Sequence, residues 1–518
     1  MRLGHYVPHT DAELTQMLEF IGLSSLNELF TAVPEAIRLA GGLDLAPGLS
    51  EFETLDEMTR LAGRNRPCGP DLVCFAGAGA YDHEIPAAVK RLAFRSEFVT
   101  AYTPYQPEVA QGVLQALFEY QTMIARMAGV EVANASLYDG ASACVEGINL
   151  AVAATRNPRV LMSQGVHPTW REVVRTYAAG TGHEIVEVPL RNGVTDWSHR
   201  LSTRSNHGSA HSQSASAGSD HSSADSESAS GHSDSASRDS QGLSGNSDRS
   251  SADSQSASGS SDRSSRGSDG ASGHSESAGV VLVQYPNHLG CLEDLAEARR
   301  LADRTGALLV VAFDPVAAGA LKTPGSYGAD VVVGEGQPFG TPLSLGGPYL
   351  GLFACRMEHV RRLPGRLVGE TVDTEGRRAY VTTLRTREQD IRREKASSNV
   401  CTNQTLIAIV CAIQLGWLGT SGLRELALRC ARATRYTRDS LLAIDGVEPV
   451  ADAPVFREFA VRAPVDAETI VERMAEEGFL AGVPLEDEYG GGLLIAATER
   501  RTRDEIDRYA GAFEKVIR

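Results

Sequence analysis

The sequence predicts an α/β fold, with a large domain on a mostly parallel sheet followed by a small C-terminal α+β domain. Three observations predict it. Short runs rich in apolar and β-branched residues at 159–164, 183–188, 280–286, 307–314 and 329–334 read as strands. Helical patterns at 140–154, 170–179 and 292–305 separate most of them, the alternation expected of a sheet covered by helices on both faces. The last stretch repeats strand, helix, strand, helix at 456–461, 467–477, 492–497 and 503–517.

Taken in order, the chain opens with two capping boxes, Thr10-Asp11-Ala12-Glu13 and Ser25-Leu26-Asn27-Glu28, each expected to start a short helix. Leu14, Met17, Leu18 and Ile21 recur at helical spacing after the first. Helices are expected at 85–94 and 111–128, and after the strands a long apolar helix at 405–418 with a second at 422–442. The expected division is an N-terminal helical segment (1–72), a large α/β domain (73–430) and a small domain (431–518).

Residues 202–278 interrupt the large domain. Of these 77 residues 31 are Ser, and Leu243 is the only large apolar side chain. Such a stretch cannot bury enough surface to offset its ordering entropy, so a disordered surface excursion is expected. It holds ten acids and five arginines, so it carries −5 of the formal net charge of −17. The acidic balance argues against a sequence-independent grip on nucleic acid. No uninterrupted apolar run approaches ~18 residues, so no membrane span is expected. Eight cysteines without a C-x-x-C pair fit reduced thiols in a cytoplasmic protein.

Only four of the 49 basic residues are lysines: Lys90, Lys322, Lys395 and Lys515. This count bears on the stretch from Asp314-Pro315 through Gly334-Glu335-Gly336-Gln337-Pro338-Phe339-Gly340 to Gly346-Gly347-Pro348. An Asp at a strand end followed by a Gly-rich loop is the layout a pyridoxal-phosphate enzyme would use, the Asp pairing the pyridinium nitrogen and a loop lysine forming the Schiff base. No lysine lies between Lys322 and Lys395, so a plain structural loop stands beside that reading.

Other stretches are equally two-sided. Tyr102-Thr103-Pro104-Tyr105-Gln106-Pro107-Glu108 is a stiff loop presenting phenols, suited to a ligand or partner or to a structural turn. Tyr138-Asp139-Gly140-Ala141-Ser142 opens a helix whose N–H groups suit an anion, or is simply capped by Asp139 or Ser142. The run 385–399 could bind anions through its arginines, but its interleaved acids favour a solvated, internally paired face. His167 could contact a substrate or be structural, and the scattered histidines of the Ser-rich segment suggest weak metal binding at most.

Together, Gly77-Ala78-Gly79-Ala80-Tyr81-Asp82-His83, the Tyr102–Glu108 and Tyr138–Ala141 stretches, and Arg393-Glu394-Lys395-Ala396-Ser397-Ser398-Asn399-Val400-Cys401-Thr402-Asn403-Gln404 closely resemble the P-protein family of the glycine cleavage system, in the subunit 1 type of its two-subunit form. The resemblance covers the chain apart from the Ser-rich segment. It implies the type I pyridoxal-phosphate-enzyme fold, decarboxylation of glycine, and transfer of the aminomethyl group to the lipoyl arm of the H-protein. It also implies a second subunit that carries the Schiff-base lysine and holds the pyridoxal phosphate, a heterodimer of dimers, and indirect links to the T-protein and L-protein. Gln337 stands at the apparent lysine position here, so no catalytic residue and no covalent cofactor are expected in this chain. Tyr102, Tyr105, Gln106 and Glu108 are the candidates for contacts across the subunit interface or to the substrate pocket. Two other readings remain: a self-sufficient transferase or lyase acting through Lys322 or Lys395, and a non-catalytic scaffold for subunit 2.

Overall fold

The computed structural model describes residues 9–39, 43–100, 104–198, 277–344 and 346–518. The Ser-rich segment up to 276 lies outside the described residues, and so does Tyr102. The chain forms two compact units, Met1–Pro67 and Cys68–Arg518.

In the first unit the Thr10 box forms as its chemistry demands. Thr10 Oγ1 accepts from the Glu13 N–H at 3.2 Å and the Glu13 carboxylate accepts from the Thr10 N–H at 2.7 Å, starting the helix Asp11–Phe20. The expected Ser25 box does not form: Ser25 makes no side-chain cap bond to the backbone, and only a 3₁₀ helix, Leu26–Phe30, follows. A further capping box at Ser50 and Glu53, unanticipated from the sequence, opens the helix Glu51–Ala62. Leu18 is the only buried residue among those described in this unit, while Phe20, Ile37, Leu43, Leu45 and Phe52 are exposed.

The second unit is built on a seven-stranded sheet among the described residues. Its order is Val132–Ala133, Gly351–Cys355, Val331–Glu335, Leu308–Phe313, Val280–Tyr285, Arg159–Ser163 and Glu184–Val188. All run parallel except Gly351–Cys355. Side-chain alternation sends Leu161, Val281, Leu309 and Val311 to one face and Val160, Val280, Leu282 and Val310 to the other. Helix Gln111–Ala128, helix Leu295–Thr305 and the first half of Thr405–Leu442 cover the first face. Helices Gly140–Thr155 and Pro168–Thr181 cover the second. Burial on both sides is why these strands read as continuous apolar runs.

The span Thr405–Leu442 holds the two helical stretches expected separately, meeting at a kink. Gly419 (φ 59°, ψ −177°) leaves the helical region and separates the two, and residue 430, the expected domain boundary, lies inside the second. The span is long and apolar enough by composition to cross a membrane, which the count of uninterrupted apolar residues did not anticipate. Ala408–Ala412, Gln414 and Leu415 are nevertheless buried against the protein's own core, so its apolar character has a packing role here.

A four-stranded antiparallel sheet follows, ordered Glu448–Pro449, Glu458–Arg462, Leu493–Ala496 and Val483–Pro484, with helices Ala467–Glu476 and Arg503–Ile517. The short strand Val73–Cys74 pairs in parallel with Phe479–Leu480, and Phe75 stacks on Tyr509 at a centroid distance of 4.0 Å. Full burial of such a ring is worth about 1.5–3 kcal/mol. That packing aims the following residues, 76–83, at the carboxyl ends of the central strands.

Candidate functional site

Asp314 ends the strand Leu308–Phe313, where ligands of open α/β sheets bind. Its Oδ2 is 2.8 Å from Nε of Arg457, which the small domain's strand Glu458–Arg462 delivers from just before its first residue. Arg457 is buried, lies 3.5 Å from the centroid of the Tyr81 ring, and hydrogen-bonds to Nε2 of His83. Nδ1 of His83 is 2.7 Å from Glu499. Burial works to lower the pKa of Arg457, but Asp314, Tyr81, Cys430 and Glu458 outweigh it and raise the value.

Three neutral or acidic groups complete this crevice. Gln337 is buried; its amide N–H groups donate to Tyr81 O (3.1 Å) and Thr341 O (2.8 Å), and its Oε1 accepts from the Tyr81 N–H (3.0 Å). Glu335 accepts from the N–H groups of Gly140, Gln337 and Leu350 at 2.9–3.0 Å. A carboxylate thus takes the helix-start N–H that the sequence offered to an anion. Glu458 accepts from the Ala78 N–H (2.6 Å) and the Tyr81 hydroxyl (2.8 Å). Burial pushes Glu335 and Glu458 up to about 7 despite these donors. The space left among Tyr81, Asp314, Glu335 and Arg457 is about 40 Å³.

Beside it lies an open cleft of about 580 Å³, lined by Ala78–Ala80, Tyr138–Ser142, His167, Trp170, Gly346–Tyr349 and Gln404. Four stretches singled out in the sequence therefore meet at one place. Asp139 caps the helix by accepting from the Ser142 N–H at 2.7 Å. His167 donates through Nε2 to Ala78 O at 2.9 Å, holding the 77–80 loop, and burial lowers its pKa.

Tyr105, half exposed, lies at the side of this region. Its hydroxyl accepts from Arg366 Nη2 at 3.0 Å, and Arg366 also donates to Cys401 O and Asn403 Oδ1 at 3.1 Å each. Arg366 thereby ties the tyrosine loop to the segment that ends at the cleft. Gln106 and Glu108 are exposed on the same loop, and Tyr102 lies outside the described residues. The run 385–399 is largely exposed and internally paired in part, Arg385 lying 3.0 Å from Asp390. All four lysines are exposed, so none is a desolvated amine.

Arg366, Arg457, Glu458 and Glu499 escaped the sequence reading. The one signal was Arg457-Glu458 between Phe456 and Phe459, a charge pair inside an apolar strand run.

A mostly parallel sheet with its crevice at the strand ends and a small antiparallel domain beside it defines the class of the type I pyridoxal-phosphate enzymes. Sphingosine-1-phosphate lyase of Burkholderia pseudomallei shares this fold (TM-score 0.59, 12% identity, 92% of this chain and 93% of that one). The chain belongs to the glycine cleavage system P-protein family, whose profile matches residues 4–219 and 256–513. It is 42% identical to the probable glycine dehydrogenase (decarboxylating) subunit 1 of Desulforamulus reducens, over 98% of each chain. It is 41% identical to the protein of the same description in Moorella thermoacetica, over 99% of each. A crystal structure of glycine decarboxylase (P-protein) in inhibitor-bound form matches with a TM-score of 0.79 at 40% identity, covering 99% of this chain and 100% of that one.

Pyridoxal phosphate, which the fold class implies, does not fit the crevice of this chain. Asp314 is already paired with Arg457, Gly140 N–H is taken by the Glu335 carboxylate, which would repel a phosphate, and Gln337 offers no amine for a Schiff base.

Proposed function

We propose that this chain is the subunit 1 half of a two-subunit P-protein and that its partner, subunit 2, holds the pyridoxal phosphate. The complex decarboxylates glycine and passes the aminomethyl group to the lipoyl arm of the H-protein, in the bacterial cytoplasm, with the T-protein and L-protein acting downstream. Pyridoxal phosphate supplies the electron sink for decarboxylation when bound to the partner. Gln337 stands where the partner has its lysine. The role of this chain is to complete the partner's pocket and the H-protein docking surface through Tyr102, Tyr105, Gln106 and Glu108.

The observation that carries this reading is the Asp314–Arg457 ion pair, which fills the chain's own cofactor position with protein. The exposure of Lys322 and Lys395 speaks against a self-sufficient enzyme. Borohydride reduction of the purified chain with pyridoxal phosphate is expected to leave no stoichiometric pyridoxyl adduct, and an adduct on one lysine would overturn the proposal. Glycine–CO2 exchange is expected only when subunit 2 and H-protein are added. Replacing Tyr105 and Glu108 together is expected to lower that activity; undiminished activity would favour the scaffold reading.

A further inference from the structure

At the amino ends of the parallel strands, opposite the cleft, three ligand-type side chains converge. Asp330 immediately precedes the strand Val331–Glu335, and Glu358 and His359 lie in the 3₁₀ helix Met357–Arg362 that follows the strand Gly351–Cys355. Antiparallel pairing sets Cys355 opposite Val331, so the residues just beyond must meet, and the Arg356 N–H donates to Asp330 O at 3.0 Å. A ligand atom from each of Asp330, Glu358 and His359 lies within 4.8 Å of the others.

The imidazole is what points to a ligand. His359 is 94% buried by its 6% exposure, and neither ring nitrogen has a hydrogen-bond partner or contact with solvent. A buried polar group left unpaired costs about 1–3 kcal/mol. Nε2 faces Oε1 of Glu358 across 3.8 Å, too far for a hydrogen bond. Two metal–ligand bonds of about 2.1 Å meeting at an open angle span that gap. Asp330 has an acceptor to spare. Its Oδ2 takes Arg299 Nη1 at 2.7 Å and the Leu309 N–H at 2.8 Å, whereas Oδ1 is 3.7 Å from Arg356 Nε.

We propose that Asp330, Glu358 and His359 bind a divalent transition-metal ion of the zinc type, through one imidazole nitrogen and two carboxylate oxygens. Water takes the remaining position. The ion ties the turn before one central strand to the helix after its antiparallel neighbour. A second cluster, His83, Cys430 and Glu499, lacks this character. Its members already bond to one another, with the Glu499 carboxylate 2.7 Å from His83 and 3.4 Å from Cys430, and the Arg457 cation sits on His83.

The test uses the full chain, stripped with a chelator and titrated calorimetrically with ZnCl2, with Co2+ as an optical probe of nitrogen and oxygen ligation. One equivalent is expected to bind, and His359→Ala and Glu358→Gln are each expected to weaken it by about tenfold or more. Glu358 is exposed, so loss in that variant is not a folding defect. Absence of a stoichiometric site, or isotherms and cobalt spectra unchanged in both variants, would overturn the proposal and assign any binding to histidines elsewhere, such as those of 202–278.

Discussion

The closed crevice at Asp314 and the open cleft at Tyr138–Ser142 share one end of the same sheet yet treat their polar groups in opposite ways. In the crevice every charge is answered from within the chain: Asp314 by Arg457, His83 by Glu499, and Glu335 by three N–H groups. In the cleft the glycine-rich loops and the helix start line about 580 Å³ of open space. On the proposed reading, one scaffold has given up a ligand site and kept a binding face. Filling the first with its own side chains makes it structural, while the neighbouring loops, held by His167 and Gln337, keep their shape for another molecule.

Breaking the crevice should have the largest effect. Arg457→Ala leaves the half-buried Asp314 without its cation and removes the charge over Tyr81, so a loss of about 2–4 kcal/mol is expected in urea denaturation. A loss under ~1 kcal/mol would mean that the pair is not what closes the site.

Gln337→Lys tests whether the closure can be reversed by restoring a lysine. The Tyr81 N–H would lose its acceptor, at about 1–3 kcal/mol. No pyridoxyl adduct is expected after borohydride reduction, because Asp314 stays paired; adduct formation would break the contrast between the two regions.

The pH dependence sharpens it. Burial raises Glu335 to about 7, so its protonated form is favoured in the folded chain. The stability it contributes is fully present below the ordinary carboxylate range and is lost as pH rises through about 7. Its part should be about 2 kcal/mol between pH 5 and 8, read as the difference between the wild-type and Glu335→Gln slopes in denaturation series. Equal slopes would mean that the three N–H donors keep it ionised throughout.

The smallest effect is expected at the side of the cleft. Tyr105→Phe removes one bond to Arg366 and should cost about 0.5–1.5 kcal/mol, measured by thermal unfolding. A lower exchange rate in the complex with little change in stability would place the hydroxyl in contact with the partner.

Much of this architecture was legible in the chain. The helices Gln111–Ala128 and Arg503–Ile517 carry a period near 3.6 and were read to the residue, and five of the six parallel strands were found because burial on both faces demands apolar runs. The strands Val132–Ala133 and Gly351–Cys355 were missed. The first is two residues long, and the second begins in a glycine-rich stretch and becomes a strand only by pairing with Val331–Glu335. The break expected between 405–418 and 422–442 falls at Gly419, whose φ/ψ leave the helical region and put a kink between the two helices.

By itself the sequence determined the alternation of strands and helices, the family to which its motifs belong, and the scarcity of lysine. Those are properties of local pattern and composition. Only the tertiary structure decided that Arg457 meets Asp314, that Glu335 takes the N–H of Gly140, and that Arg366 binds Tyr105 to the cleft segment. The partners in each pair are far apart in the chain and have no local preference for one another. Burial brings them together, and a charge removed from water must then find its opposite or a donor.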